Sequence, residues 1–278
     1  MANKITIRNL GRVFHSKAGP FEALRSISLD VADQEFLCIV GPSGCGKSTL
    51  VRTLGGLEKA TTGHITIDHK VRTAPLTAMI FQEESVFPWL TVEKNAAYGL
   101  KVTDGWDAKE SPRRVDYFLE KTGLLSFRKF YPYQLSGGMK QRLSVARAFI
   151  TNPEILLMDE PFAALDEQNK LLLQQELERL WEEFRSTVVF ITHSLEEAVL
   201  LGDRVAVMTT APGRIKEVVE VPFTRPRDFV ELRRTPEFIE LTHYLWGLLS
   251  DEVQRAREEE AQKLTGGRQA SPVAVAGK

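Results

Sequence analysis

The segment GPSGCGKSTL, residues 41–50, gathers glycines, a lysine and hydroxyl groups into one turn between an apolar run and a helix-like pattern. Glycines at Gly41, Gly44 and Gly46 let successive backbone N–H groups point into one concavity, and the helix that follows adds the positive end of its dipole. Lys47 can reach the outer phosphates of a nucleotide, and the hydroxyl of Ser48 suits Mg²⁺. The turn is therefore predicted to hold phosphates.

The segment ILLMDEP places two carboxylates directly after a short apolar run that is typical of a buried strand. In a parallel sheet, ligands sit at the carboxyl end of the strands. Asp159 is then expected to hold Mg²⁺, and Glu160 is expected to polarise a water for attack on a γ-phosphate. A strand that merely ends in solvated acids is the alternative, which the phosphate turn earlier in the chain disfavours.

Two further polar side chains follow strand-like runs, Gln82 after TAMIF and His193 after TVVFIT. Both would be delivered to the edge of the sheet where a γ-phosphate and its attacking water lie. His193 could instead cap the helix that begins with SLEE, but four elements that converge on one edge favour a phosphate-sensing role.

The segment LSGGMKQR, residues 135–142, again joins glycines to the start of a helix. Ser136, Gly137 and Gly138 would form a second anion cradle, which cannot reach the first without a large loop movement. Two cradles for one nucleotide predict that two chains share the site.

The pattern of apolar residues predicts the elements that must position these motifs. Residues 4–31 read as an antiparallel β start, and HITID and TAMIFQ read as a strand pair. Residues 91–149 read as an inserted helical block, and beyond residue 153 strands alternate with helices. This alternation predicts a mostly parallel sheet that helices cover on both faces.

Composition narrows the function classes. The 278 residues carry a net charge of −1, which argues against a dedicated nucleic-acid binder, and no apolar run is long enough to cross a bilayer. A soluble, cytoplasmic chain is expected. Cys38 and Cys45 lack the spacing of a zinc site and fit a reducing compartment. Because Cys45 lies beside Lys47 in an anion-attracting turn, its thiolate is expected to be favoured, with Cys38 buried and inert.

As a set and in this order, GPSGCGKST, FQ, LSGGMKQR, ILLMDEP, AALD and THS resemble the Walker A, Q-loop, signature, Walker B, D-loop and H-loop of an ATP-binding-cassette ATPase. The resemblance implies an α/β fold with a P-loop NTPase-type, mostly parallel sheet, an N-terminal antiparallel β subdomain and an inserted helical subdomain. It implies an ATPase domain over residues 1–222, the helical subdomain being about 85–150, a helical extension over 223–264 and a disordered tail over 265–278.

The family roles carry over to matching positions of this chain. Catalytic roles are implied for Glu160 as base, His193 as switch and Gln82 as the link between the γ-phosphate and the helical subdomain. Mg²⁺ is implied at Ser48, Gln82 and Asp159. ATP is implied to contact Phe14, Gly41, Pro42, Ser43, Gly44, Cys45, Gly46, Lys47, Ser48, Thr49, Ser136, Gly137 and Gly138. The aromatic role on adenine is open between Phe14 and Phe21.

A narrower resemblance, to the cassette subunits of bacterial nitrate, taurine, sulfonate or bicarbonate importers, lies in FQEESVFPWLTVEKNAAYGL, TTAPGRIKEVVEVPFTRPRD and PEFIEL. It implies a homodimer or a paralogous cassette partner, transmembrane permease subunits, an indirectly coupled periplasmic or lipid-anchored binding protein, and a place on the cytoplasmic face of the inner membrane. The cargo is not encoded in this chain under that interpretation.

The segment VFPWLTVEKN, residues 86–95, is predicted to dock a membrane subunit, because it follows Gln82 and offers apolar residues where a loop is normally polar. These residues could instead fill the seam between the helical subdomain and the core.

Two other functions are possible for a chain with these motifs. A soluble cassette ATPase on nucleic acid or the ribosome is disfavoured by the single cassette and the lack of a basic stripe. A small-molecule kinase would leave LSGGMKQR and THS unexplained.

Overall fold

The computed structural model of the chain describes residues 2–17, 19–69, 75–83, 85–103 and 106–266, and the side chains of 257 and 259–266 are not described. The strands and helices, in chain order, are β1 (Asn3–Ser16), β2 (Gly19–Ala32), β3 (Phe36–Val40), α1 (Lys47–Leu54), β4 (Thr62–Ile67), β5 (Thr77–Ile80), α2 (Val92–Val102), α3 (Glu110–Lys121), α4 (Gly137–Phe149), β6 (Ile155–Asp159), α5 (Glu167–Phe184), β7 (Thr187–Ile191), α6 (Leu195–Leu201), β8 (Arg204–Met208), β9 (Ile215–Glu220), α7 (Phe229–Leu232) and α8 (Pro236–Gly266).

A three-stranded antiparallel sheet begins the fold, in the order β2-β1-β4. Its long hairpin confirms the predicted antiparallel start. The predicted pairing of HITID with TAMIFQ is wrong, because β4 pairs with β1 and β5 pairs in parallel with β6. The apolar TAMI run is a strand of the larger sheet, whereas β4, largely exposed, completes the edge of the smaller one.

A six-stranded sheet in the order β5-β6-β7-β3-β8-β9 forms the core. The first five strands are parallel and β9 runs antiparallel to β8. The strands β3, β6 and β7 are buried along their whole length, which is why their sequences are apolar runs without alternation. Their shared direction brings the carboxyl ends of these strands to one edge.

Side chains of the parallel strands alternate between two cores on the two faces of the sheet. In β3, Phe36, Cys38 and Val40 belong to the core that the helical subdomain, α5, α6 and α8 cover. Leu37 and Ile39 belong to the core beneath α1 and the antiparallel sheet. The fold class predicted from the sequence is therefore confirmed.

The helices α2, α3 and α4 form the block between β5 and β6, with short 3₁₀ turns at Leu125–Phe127 and Pro132–Gln134. Thr91 caps α2 by accepting a hydrogen bond from the Lys94 N–H. The buried Asn95 exchanges hydrogen bonds with both backbone groups of Phe87 at 2.8 and 3.0 Å. This side chain fixes the loop between β5 and α2 onto the helical block.

The C-terminal extension is fastened to the core by a buried arginine. The guanidinium of Arg227 donates hydrogen bonds to the carbonyls of Val199, Leu200 and Gly202 at 3.1, 2.8 and 2.9 Å. These carbonyls lie at the end of α6, where backbone acceptors have no partner within the helix. Burial lowers the pKa of Arg227 to about 10.

Beyond this anchor, α8 packs against α6 and β8 and buries Phe238, Leu245 and Leu249. The helix continues to Gly266, two residues past the predicted end of the extension at 264, and residues 267–278 of the predicted tail lie outside the described residues. In the described ranges, no helix combines the length and hydrophobicity needed to cross a membrane.

Arg227→Met should lower the free energy of unfolding by about 2–3 kcal/mol, because buried carbonyls at the end of α6 lose their donor. Arg234→Met is the matched control, since Arg234 is exposed and forms an i,i+3 ion pair with Glu231 at 2.8 Å. Its effect should stay within about 0.5 kcal/mol. Urea titration followed by circular dichroism measures both, and equal losses would show that Arg227 is not an anchor.

Candidate functional site

The phosphate turn follows β3, and its glycines are required by backbone conformation. Gly44 has φ 73° and Gly46 has φ 102°, in the left-handed region that disfavours side chains. A Cβ on Gly46 would also lie 2.8 Å from the carbonyl oxygen of Ala23 in β2. The turn is therefore pressed against the antiparallel sheet, and α1 begins directly after it at Lys47.

A cavity of about 340 Å³ opens over this turn. Its lining comprises Phe21, Ala23, Ser43, Gly44, Cys45, Gly46, Lys47, Ser48, Thr49, Gln82 and Glu160. Gly41 and Pro42 lie beneath it, and their carbonyls accept hydrogen bonds from the Lys47 ammonium at 2.8 and 3.0 Å. The lysine thus holds the turn in shape from within, with its charge beside the backbone N–H groups at the start of α1.

Ser48, which lines the cavity, contacts Asp159 at the end of β6. The Ser48 hydroxyl donates a hydrogen bond of 2.8 Å to Oδ1 of Asp159, which is 1% exposed. Burial raises the pKa of Asp159, and the hydrogen bond from Ser48 opposes that shift. A buried carboxylate beside a hydroxyl provides the hard oxygen donors that Mg²⁺ takes from a protein when phosphates and water supply the rest. The pair fits the predicted metal.

Two of the side chains predicted to act in catalysis, Gln82 and His193, converge on one carboxylate oxygen of the third, Glu160. Nε2 of Gln82 donates to Oε2 of Glu160 over 3.4 Å, and Nδ1 of His193 lies 3.6 Å from the same oxygen. They come from the ends of β5, β6 and β7, which are neighbours in the sheet. Glu160 has φ 47°, an uncommon conformation for a residue with a side chain, and such strain gathers at functional sites.

The turn that carries the histidine is held by a network that the sequence did not reveal. Glu197 is buried and accepts hydrogen bonds from the hydroxyl of Thr192 and, at 3.1 Å, from the amide of Gln174 in α5. The Lys170 ammonium pairs with the same carboxylate. The N–H of Ser194 donates to the Thr192 hydroxyl at 2.9 Å. The only sequence signal was the spacing of Ser194 and Glu197, which is that of a capping box.

The second predicted cradle lies apart from the cavity. Ser136 caps α4 by accepting from the Met139 N–H at 3.3 Å, and Ser136 and Gly137 are exposed. None of Ser136, Gly137 and Gly138 is among the residues that line the cavity. Within the described part of one chain, the two cradles therefore do not meet.

Phe14 and Phe21 are cross-strand neighbours in the hairpin of β1 and β2. Phe21 is exposed and lines the cavity together with Ala23. Phe14 packs beneath the guanidinium of Arg12 at 4.3 Å from its ring centre and is not part of the described lining. Of the two candidate aromatics, Phe21 is thus the one that lines the cavity together with the phosphate turn.

The expectation of a reactive Cys45 is wrong. Its side chain is 1% exposed, and burial raises the pKa of the thiol despite the nearby charge of Lys47. Cys38 is fully buried, and burial raises its pKa well above the usual value. Burial in the turn outweighs the electrostatic attraction that the sequence suggested.

Comparison with known proteins agrees with this geometry. Residues 24–163 match the family model described as ABC transporter. The nitrate import ATP-binding protein NrtD of Synechocystis sp. is 40% identical over 92% of this chain and 97% of its own. The aliphatic sulfonates import ATP-binding protein SsuB of Bacillus cereus is 38% identical over 83% and 93%.

Among solved structures, the chain is similar to the dimeric structure of a post-hydrolysis state of the ATP-binding cassette MJ0796 bound to ADP and Pi. The TM-score is 0.69 at 29% identity, over 79% of this chain and all of that one. With its phosphate turn, its strand-end carboxylates and these relatives, the chain belongs to the ABC transporter family and is one of its ATP-hydrolysing cassettes.

Proposed function

We propose that this cassette powers a membrane importer for a small anion or organic solute such as nitrate, sulfonate, taurine or bicarbonate, from the cytoplasmic face of the inner membrane. The observation that carries the ATPase chemistry is the convergence of Gln82 and His193 on the Glu160 carboxylate beside the phosphate turn. The import names of the relatives support the transport role and count against the alternative of a nucleic-acid or ribosome ATPase.

Some side chains of the site bind the nucleotide, and others take part in the proton transfer of hydrolysis. Lys47 and the N–H groups of the turn bind the phosphates, while Phe21, the one of the two candidate aromatics that lines the cavity, contacts the base in place of Phe14. Glu160 accepts the proton of the attacking water as general base, and Gln82 and His193 orient its carboxylate toward the γ-phosphate. Ser48 and Asp159, with the Gln82 amide oxygen, would hold Mg²⁺, which neutralises charge on the phosphate oxygens when bound.

Two chains share each ATP in this proposal. The Ser136–Gly138 loop, named here for the N-cap and first two residues of α4, does not line its own chain's cavity in the described residues, and the similar cassette MJ0796 is dimeric. ATP bridged between the phosphate turn of one cassette and this loop of another would favour the closed pair, and hydrolysis would release it. The partner cassette is an identical copy or a paralogue, and permease subunits complete the assembly, with the substrate-binding protein reached through them.

Glu160→Gln should keep ATP binding and lower hydrolysis at least about a hundredfold, because the amide cannot accept the proton of water. With hydrolysis blocked, MgATP should convert the purified variant from monomer to dimer in size exclusion with light scattering. Hydrolysis at the wild-type rate would remove Glu160 from the role of base.

Asp159→Asn and Ser48→Ala should both raise the Mg²⁺ concentration that hydrolysis requires, because each removes a proposed ligand, but they should shift thermal stability in opposite directions. Asn removes a desolvated charge, so the Tm of the nucleotide-free chain should rise by about 2–4 °C. Ala removes the hydrogen bond to that charge, so the Tm should fall by a similar amount. Shifts of the same sign in differential scanning fluorimetry would contradict this account of the buried pair.

The exposure of the segment 86–95, a loop that leads into the first turn of α2, supports docking of a permease. Trp89 is 70% exposed, so this side chain does not fill the seam that was the alternative. Phe87, in contrast, packs on Tyr98 with ring centres 4.5 Å apart and under the Arg147 guanidinium at 4.7 Å. Arg147 also donates to the Ser85 carbonyl at 2.6 Å. Contacts of Phe87 and Arg147 therefore hold this segment against the helical block, whereas the ring of Trp89 is exposed to solvent.

Trp89→Ala should leave Tm and ATP binding unchanged while weakening assembly with the permease by about 2 kcal/mol or more, as expected for an aromatic hot spot. Tyr133→Ala removes another exposed aromatic outside this segment, and it should leave Tm, ATP binding and assembly with the permease unchanged. Phe87→Ala should lower Tm, because it removes packed area. Pull-down with the co-expressed permease measures assembly, and a thermal melt measures Tm. A large drop in Tm for Trp89→Ala with assembly intact would make it a packing residue.

A further inference from the structure

The C-terminal helix α8 is locked onto the hairpin of β8 and β9 by a buried carboxylate. Glu252 accepts hydrogen bonds from the Thr210 N–H and from the Lys216 ammonium, both at 3.1 Å. Lys216 also donates to the Leu248 carbonyl at 2.7 Å, and the Tyr244 hydroxyl donates to Glu217 at 2.6 Å. These bonds fix both the position and the rotation of the helix.

The same hairpin touches the phosphate turn. The N–H of Gly213 donates to the Ala23 carbonyl at 2.9 Å, and a Cβ on Gly213 would lie 2.1 Å from the Cys45 carbonyl oxygen. The hairpin therefore contacts both α8 and the phosphate turn directly. These contacts fix the position of the helix beside the nucleotide site.

Between α8 and the phosphate turn lies a groove of about 360 Å³. It is lined by Gly41, Pro42, Ser43, His193, Leu195, Trp246, Leu249, Val253 and Ala256. The four α8 residues are spaced i, i+3, i+7 and i+10, so they form one face of the helix. Trp246 leaves 56% of its surface exposed at this face, and none of the described residues that line the groove is Asp, Glu, Lys or Arg.

We infer that this groove is part of the contact surface between two copies of this chain when they close on ATP. The inference rests on the proposed function. The groove and the nucleotide cavity share Ser43, and His193 in the groove reaches the Glu160 carboxylate of the cavity. A second copy that brings its Ser136–Gly138 loop to the phosphate turn must lie over this edge, where the apolar face of α8 continues the surface.

The α8 face would then add apolar area next to the reacting groups, so the helix contributes to the affinity of the closed pair. Nucleotide binding to a single chain would not depend on it, because no α8 residue is among those that line the nucleotide cavity in the described chain. This separation of dimerisation from binding is what the experiment measures.

The test uses the full-length chain with Glu160→Gln, whose ATP-bound dimer is stable under the proposed function. Adding Trp246→Glu should raise the dimer dissociation constant at least about tenfold in sedimentation with MgATP, since it places a charge in an apolar contact. Val230→Glu, at an exposed apolar position of α7 outside the groove, should change it less than about twofold. Fluorescent-nucleotide binding and Tm should match across the three proteins.

A second readout requires no disruption of the groove. In Glu160→Gln with Trp89→Phe and Trp106→Phe, the remaining tryptophans are Trp246 and the buried Trp181. Acrylamide quenching should fall about twofold or more when MgATP forms the dimer, because Trp246 becomes covered. Unchanged quenching in a proven dimer would overturn the inference.

The two proposals can fail separately. If Glu160→Gln stays monomeric with MgATP, the shared site and this groove contact are both wrong. If it dimerises, and Trp246→Glu dimerises as tightly as Val230→Glu, the shared site stands and the groove contact is overturned.

Discussion

The parallel hydrogen-bond register of β5, β6, β7 and β3 is the constraint on which the site depends. It brings four strand ends to one edge, so that Gln82, Glu160, His193 and the phosphate turn become neighbours although the chain separates them widely. A slip of one residue in any of these strands would exchange its two buried faces and move its terminal side chain away from the others. The apolar strands, which are buried on both faces, therefore also determine the positions of the side chains in the site.

The site holds unfavourable interactions that the rest of the fold compensates. Asp159 is a buried carboxylate with a raised pKa, and Glu160 has a left-handed backbone. Both would be relieved if the chain relaxed locally, but β6 is buried between β5 and β7 and does not permit it. An arrangement kept at the expense of stability is preorganised for a ligand that carries the missing charges, which under the proposed function are those of Mg²⁺ and phosphate.

The sequence predicts the features that adjacent residues determine, and it does not predict the features that depend on packing between distant parts of the chain. The phosphate turn and strand-end carboxylates were predictable, because glycine conformation and the apolar run before Asp159 are written in adjacent residues. The pairing of β4 was not, since its partner β1 lies far back in the chain. Cys45 was misjudged because the sequence shows the charge of Lys47 two residues away but not the neighbours in space that bury the thiol. The network around Glu197 joins α5 to α6 and leaves only a capping pattern in the sequence.

The central claim is that each ATP is held by the phosphate turn of one chain and the Ser136–Gly138 loop of another. Mixing two inactive full-length variants tests it most directly: Lys47→Ala, which damages the turn, and Ser136→Arg, which blocks the loop. In a mixed dimer, one site combines both lesions and the other combines the intact turn with the intact loop. ATP hydrolysis should therefore reappear in the mixture and be absent from either variant alone. A mixture as inactive as its components would contradict a site shared between chains.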